Sequence, residues 1–307
     1  MTTSLSLPLA GRGGEPVDLA RTLNSHGFAE LAPSALDEEA TVLSVTVGVP
    51  AGRPRRIRIG PGGKGAAQVD VLGPPAGPRV RAATLAGAAH VLRLDQDLSG
   101  FYRLIAADPD LAWASAGAGR MLRSPTVFED VVKTICTTNC AWSATVRMVD
   151  ALVGSLGEPA IGGDGPLTNA FPTPAAMASV PGSFYREVVR AGYRGAYLIE
   201  LARRVDAREI DLEAMGESSS DELPDDELAQ ALLDLPGVGP YAAAHVMMTL
   251  GRNSRLILDS WTRPKYARLT GRARPVADAT IERRFRRYGD HAGLAFWLFL
   301  TRDWVAD

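Results

Sequence analysis

Two stretches of the chain carry apolar side chains at helical spacing, one on each side of a glycine turn. The first is Asp226-Glu-Leu-Ala-Gln-Ala-Leu-Leu-Asp-Leu235, the second runs from Pro240 to Leu250, and Leu235-Pro-Gly-Val-Gly239 joins them. Pro240 suits a first helical position, where a missing N–H costs nothing, and Gly251 suits the stop. The pattern predicts two helices and a tight turn at 235–240. Residues 15 to 100 read differently. Thr41-Val-Leu-Ser-Val-Thr-Val-Gly, Arg56-Ile-Arg-Ile, Gln68-Val-Asp-Val-Leu and Pro78-Arg-Val-Arg alternate or cluster β-branched residues between Gly/Pro turns such as Gly60-Pro-Gly-Gly-Lys64 and Gly73-Pro-Pro-Ala-Gly-Pro78. These predict strands of an antiparallel sheet, and from about Val91 the pattern becomes helical. The expected class is α+β, an N-terminal sheet domain at 1–90 packed on a helical body at 91–307.

Composition adds bounds. With 307 residues and 46% hydrophobic content the chain buries a large core. No apolar run approaches membrane-spanning length, and the N-terminal Met-Thr-Thr-Ser-Leu-Ser-Leu-Pro-Leu-Ala has no basic region before its short apolar stretch, so a cytoplasmic protein is expected; a monomer is expected as well. Cys136 and Cys140 are the only cysteines, too few for an iron–sulfur cluster or a disulfide framework, and read as small buried residues on a helix. His26, His90, His245 and His291 show no ligand spacing and read as satisfied core or surface histidines; no metal site is expected.

The net charge of −2 hides a local asymmetry. Residues 211–230 carry eight acids and no base, and Gly216 to Glu227 read as a loop ending in helix-capping acids. Residues 260–290 carry nine Arg or Lys against three acids. There Arg263, Lys265, Arg268, Arg272 and Arg274 suit either phosphate contacts or a solvated face.

The glycine turn has its own chemistry. Gly237 and Gly239 let the backbone bend and, with Val238, present N–H groups at a helix N-terminus, where unpaired donors and the helix dipole favour a phosphate. Asp259, twenty residues past the turn in Leu-Ile-Leu-Asp-Ser-Trp, suits an N-cap for a helix starting near Ser260.

Hairpin and aspartate together resemble the helix-hairpin-helix DNA glycosylase superfamily, in which Leu-Pro-Gly-Val-Gly precedes a catalytic aspartate at about this distance. The resemblance covers roughly residues 85–300. Leu92 to Tyr102 is similar to the bridge into the helices, and Arg120-Met-Leu-Arg-Ser-Pro-Thr-Val-Phe-Glu-Asp130, Thr137-Thr-Asn139, Phe171-Pro-Thr-Pro174 and Gly192-Tyr-Arg-Gly-Ala-Tyr197 resemble segments of the 8-oxoguanine and alkylpurine branch. It implies base-excision chemistry on double-stranded DNA holding a damaged base, with Asp259 stabilising an oxocarbenium-like sugar or orienting water. It implies no cofactor beyond a monovalent cation at the hairpin backbone.

The resemblance also implies finer roles. Tyr241 stands where bifunctional members carry a Schiff-base lysine, which implies a monofunctional enzyme; an aromatic there also suits stacking on a flipped base, or packing between helices. Asn139 and Arg194 match residues that contact the cytosine left behind, while a second arginine of that set falls at Ala144. Phe296 falls where a glutamine reads oxidised guanine, and Leu300 where its aromatic neighbour stands. With Tyr241 and Trp261 they imply an apolar base pocket, suited to an alkylated purine of the 3-methyladenine type. Trp142 and Trp261 are second-rank DNA contacts for which buried packing is the preferred role. The alternatives are an 8-oxoguanine glycosylase and a non-catalytic damaged-DNA-binding protein.

Overall fold

A computed structural model describes residues 2–305; Met1, Ala306 and Asp307, at the ends of the two expected domain ranges, lie outside them. Five strands among the described residues form one antiparallel sheet: β1 (Thr2–Pro8), β2 (Ala35–Leu36), β3 (Leu43–Val49), β4 (Gly52–Pro61) and β5 (Ala66–Leu72), in the order β1-β5-β4-β3-β2. The register sets Leu5 and Ile59 opposite Val69, and Val45 and Val71 opposite Ile57. Side chains alternate along a strand, so these residues share one buried cluster with Leu43 and Val47. At about 1.5–3 kcal/mol for each fully buried branched aliphatic, this face is a large part of what holds the sheet in place.

The N-terminal apolar stretch, inside the expected sheet domain, supplies the edge strand β1, whose Leu5 and Leu7 pack on the sheet cluster. One expectation about this region is corrected. Pro78-Arg-Val-Arg is no strand: it opens the helix Pro78–Val91. Proline at the first position fixes a helical φ, and Thr84, Ala88 and Val91 then recur on one buried face against the sheet. Four residues of β-branched and basic character were too short a window to show that period.

The rest is helical, as expected. The helix Pro240–Thr249 lies between two clusters, with Ala242 and Val246 in one, Ala244 and Met248 in the other. Burial on both sides is why it is apolar almost all round. Its C-terminal end is tied to the bridge after the sheet: Arg93 Nη1 and Nη2 donate to the carbonyls of Thr249 and Leu250 at 3.1 and 2.9 Å, and Gln96 Nε2 to that of Gly251 at 3.3 Å. Arg93 is held in turn by buried Arg120, which donates to Arg93 O at 2.6 Å and pairs with Glu15. A chain of buried guanidinium contacts thus fixes the hairpin helix to the N-terminal part, and loss of Arg93 would leave the Thr249 and Leu250 carbonyls without these donors.

Candidate functional site

The helices Asp225–Leu233 and Pro240–Thr249 flank the predicted turn, and Asp225, Asp226 and Glu227 occupy the first turn of the former as expected; Gly216, read as loop, falls inside the helix Leu212–Glu217. Leu235 and Val238 turn inward, and Val238 N donates to Leu235 O at 3.2 Å, so this N–H is spent on the turn itself. Gly237 has φ 79°, and a Cβ there would stand 2.7 Å from Tyr197 Cδ2, so only glycine fits. Gly239 differs. Its φ of −104° suits any residue, and a Cβ there would meet nothing within 4 Å. What its glycine preserves is open space before the helix N-terminus, where the N–H groups of Gly239, Tyr241 and Ala242 lack intrahelical partners. A monovalent cation at the hairpin would be held by backbone carbonyls, of which those of Leu232 and Leu235 already accept the N–H groups of Leu235 and Val238.

Past Gly251, buried Ile257 anchors the chain so that Asp259 emerges at the start of the helix Thr262–Leu269. Asp259 Oδ1 accepts from Trp261 N at 2.8 Å and Thr262 N at 2.7 Å, and Asp259 N donates to Thr262 Oγ1 at 2.8 Å. The capping role is therefore real. It uses a single carboxylate oxygen: Oδ2 has no hydrogen-bond partner among the described residues.

Hairpin and aspartate border one cleft of about 1450 Å³. Tyr241 lines it half-buried; Thr137 Oγ1 already donates to Thr134 O, so the Tyr241 hydroxyl donates to Thr137 Oγ1 at 3.2 Å. Burial, with the negative charge of Asp259 nearby, raises the Tyr241 pKa and keeps the phenol neutral. Of the ten exposed large apolar side chains among the described residues, six line this cleft: Trp142, Tyr193, Tyr197, Leu233, Trp261 and Trp304. Concentrated at one concavity, they mark a surface built to meet flat apolar partners. Trp261 stacks obliquely on Trp297 and Trp304, with centroids 5.8 and 5.5 Å away. The buried role preferred for Trp142 and Trp261 is thus corrected, because both stand about 40% exposed on the cleft.

Other expected site residues divide. Asn139 reaches the cleft rim in a left-handed turn (φ 48°), its Nδ2 donating to Tyr193 OH at 3.3 Å. Arg263 lines the cleft, but its Nε and Nη2 are engaged by Asp278 at 2.8 and 2.9 Å, a pairing that raises its pKa. Arg194 is buried away from the cleft; its guanidinium donates to Thr138 O and lies over the Tyr193 ring. Lys265 is also buried, its Nζ on Asp303 Oδ2 at 2.6 Å. Phe296 and Leu300 are fully buried in the core beside Phe285 and Tyr266, and so do not line the cleft. Their helix, Ala292–Thr301, is apolar on every side, so periodicity could not show which face looks outward.

Cys136 is buried, its thiol pushed up to about 12 by desolvation, but Cys140 lies beyond the end of the helix Val127–Thr137 and borders the cleft half-buried. The histidines are corrected in part. His26 is satisfied, with Nε2 2.6 Å from Leu122 O and Nδ1 accepting from Phe28 N at 3.4 Å, whereas His90 and His291 each keep one buried nitrogen unpartnered. His245, treated as an ordinary histidine, lines the cleft one helical turn after Tyr241. Its i, i+4 spacing from Tyr241 was the available signal.

Among the described residues no group of three or more His, Cys, Asp or Glu side chains could hold a metal ion, and no helix is long and apolar enough to cross a membrane. No family model and no curated protein matches the sequence. Solved structures do. A 3-methyladenine DNA-glycosylase from Archaeoglobus fulgidus superposes with a TM-score of 0.72 at 21% identity, over 99% of this chain and 100% of that one. A Clostridium acetobutylicum 8-oxoguanine glycosylase/lyase, in complex with DNA containing cytosine opposite 8-oxoguanine, gives 0.68 at 18% identity over 95% and 94%. MBOgg1, in complex with a low-affinity DNA ligand, gives 0.73 at 19% over 98% and 96%. The chain therefore has the fold of the helix-hairpin-helix DNA glycosylases, sheet domain included.

Proposed function

We propose that this protein is a monofunctional DNA glycosylase that flips an alkylated purine into the aromatic cleft and hydrolyses its N-glycosidic bond. The observation that carries the proposal is Asp259: one carboxylate oxygen fixed by the helix start, the other unspent, in a cleft that also holds an open helix N-terminus. As the bond to the base lengthens, positive charge grows on the sugar, and a fixed carboxylate stabilises it without reorganising. Water then adds to the anomeric carbon and loses its proton, and the base departs with the bonding pair. Solved structures that share this fold include both a 3-methyladenine and an 8-oxoguanine enzyme. Several observations favour the former. Of the two residues matched to contacts with the cytosine opposite 8-oxoguanine, Asn139 stands at the cleft rim but Arg194 is buried on Thr138 O, and Phe296, where a glutamine would read the oxidised base, offers no hydrogen bond and is sealed away from the cleft. Arg263, the one arginine lining the cleft among the described residues, is paired with Asp278, so aromatic faces and a carboxylate are left to meet an electron-poor, cationic base.

Duplexes bearing single lesions test this: the protein should release 3-methyladenine or 7-methylguanine and leave 8-oxoguanine opposite cytosine in place. Release of 8-oxoguanine alone would overturn the substrate assignment, and binding without release of any base would overturn catalysis.

The hairpin's role is tested separately. Gly239→Val places its side chain in open space, so its stability should stay within about 0.5 kcal/mol of the native value. Its affinity for damaged and undamaged duplex alike should fall about tenfold or more, because phosphate contacts hold position without reading sequence. Gly237→Val should instead lower the melting temperature, since its left-handed φ alone costs about 1–2 kcal/mol before the clash with Tyr197. Unchanged DNA affinity in Gly239→Val would refute the phosphate grip.

A further inference from the structure

Two histidines line the cleft, and they differ in what their nitrogens are doing. His26 has both engaged, by Leu122 O and Phe28 N. His245 has one. Its Nδ1 lies 3.4 Å from Thr134 Oγ1, and that hydroxyl is 2.7 Å from Asp130 O, which can only accept. Thr134 therefore spends its proton on the carbonyl and faces His245 as an acceptor, which places the imidazole hydrogen on Nδ1 and the lone pair on Nε2. Nε2 makes no hydrogen bond among the described residues, yet it is not sealed from solvent. The ring stands edge-on to His26 (5.5 Å) and tilted against Phe28 (4.8 Å), and lies 6.0 Å from Tyr241. Burial, with His26 beside it, lowers its pKa to about 3, so it stays neutral at any physiological pH.

We infer that His245 Nε2 is the specificity-determining acceptor of the base site, hydrogen-bonding an N–H on the edge of the extruded purine. The inference rests on the glycosylase reading and deepens it. A neutral acceptor does not repel a cationic base, and the positive charge of an alkylated purine makes its amino group a better donor. The 6-amino group of 3-methyladenine fits. A 1,N6-ethenoadenine, whose edge has no N–H, leaves Nε2 unpaired against an acceptor and is disfavoured.

Two measurements test this. Long-range proton–nitrogen spectra of the full chain should show His245 as the neutral Nδ1–H tautomer near pH 7, with the Nε2 resonance shifting upfield on addition of 3-methyladenine free base and not on addition of 1,N6-ethenoadenine. An Nε2–H tautomer, or equal response to both bases, overturns the inference whether or not the protein excises anything. On DNA, His245→Phe should lower 3-methyladenine release relative to 1,N6-ethenoadenine release by about tenfold or more, the effect of one charge-assisted hydrogen bond. His245→Gln, which keeps an acceptor at similar reach, should restore part of that ratio. If His245→Phe slows both lesions alike, His245 only packs. The glycosylase reading, by contrast, fails only if the unaltered protein releases no base from either duplex.

Discussion

Asp259→Asn should excise bases at least about a hundredfold more slowly than the unaltered protein, while binding a lesion-bearing duplex with nearly the same affinity. The geometry makes this a clean test. Oδ1 supplies both capping bonds, to Trp261 N and Thr262 N, and an asparagine oxygen can accept them equally well. What the substitution removes is charge from Oδ2, the atom without a hydrogen-bond partner among the described residues. A merely structural Asp259 would survive the exchange with activity intact, so undiminished excision would sink the catalytic assignment. Asp259→Ala is the informative contrast: it should lose the cap as well, about 1 kcal/mol of stability, and show both a lower melting temperature and lost activity.

The sequence made the hairpin, the aspartate and the sheet legible because each has a local signature. Glycine at a left-handed turn, proline at a helix start and alternating β-branched residues are consequences of backbone sterics within a few residues of themselves. The misplacements have a different origin. Phe296 and Leu300 sit on a helix that is apolar all round, where the choice between core and cleft is made by distant partners such as Phe285 and Tyr266. Arg194 and Lys265 are cationic residues whose roles are decided by acceptors that folding brings to them: the Thr138 carbonyl in one case, Asp303 in the other. A lone histidine on an apolar helix shows at most its i, i+4 spacing from Tyr241; the tautomer of His245 is fixed by Thr134, 111 residues earlier. The basic run after Asp259 suits either phosphate contacts or a solvated face in one dimension; in the fold Arg263, Lys265, Arg284 and Arg287 are paired with Asp278, Asp303, Asp110 and Asp108.

Borohydride added during the reaction should trap no covalent protein–DNA adduct, and the strand should break only after alkali or heat. A Schiff base needs an amine at the sugar, and the chain has three lysines. None lines the cleft. Lys133 is fully buried against Glu129 at 2.6 Å, Lys265 is held by Asp303, and Lys64 lies in the turn between β4 and β5. Tyr241, beside Asp259 on the second hairpin helix, has a phenol that cannot form an imine. Tyr241→Lys is therefore the stricter test. Burial among aromatic rings favours the neutral amine, the nucleophilic form, although the charge of Asp259 opposes this. The expected result is a trapped adduct that appears with Tyr241→Lys and disappears again when Asp259→Asn is added. An adduct with the unaltered protein would overturn the monofunctional reading, and Lys265 would be the first lysine to replace. Absence of an adduct from a Tyr241→Lys protein that still excises would show that this side chain does not face the sugar.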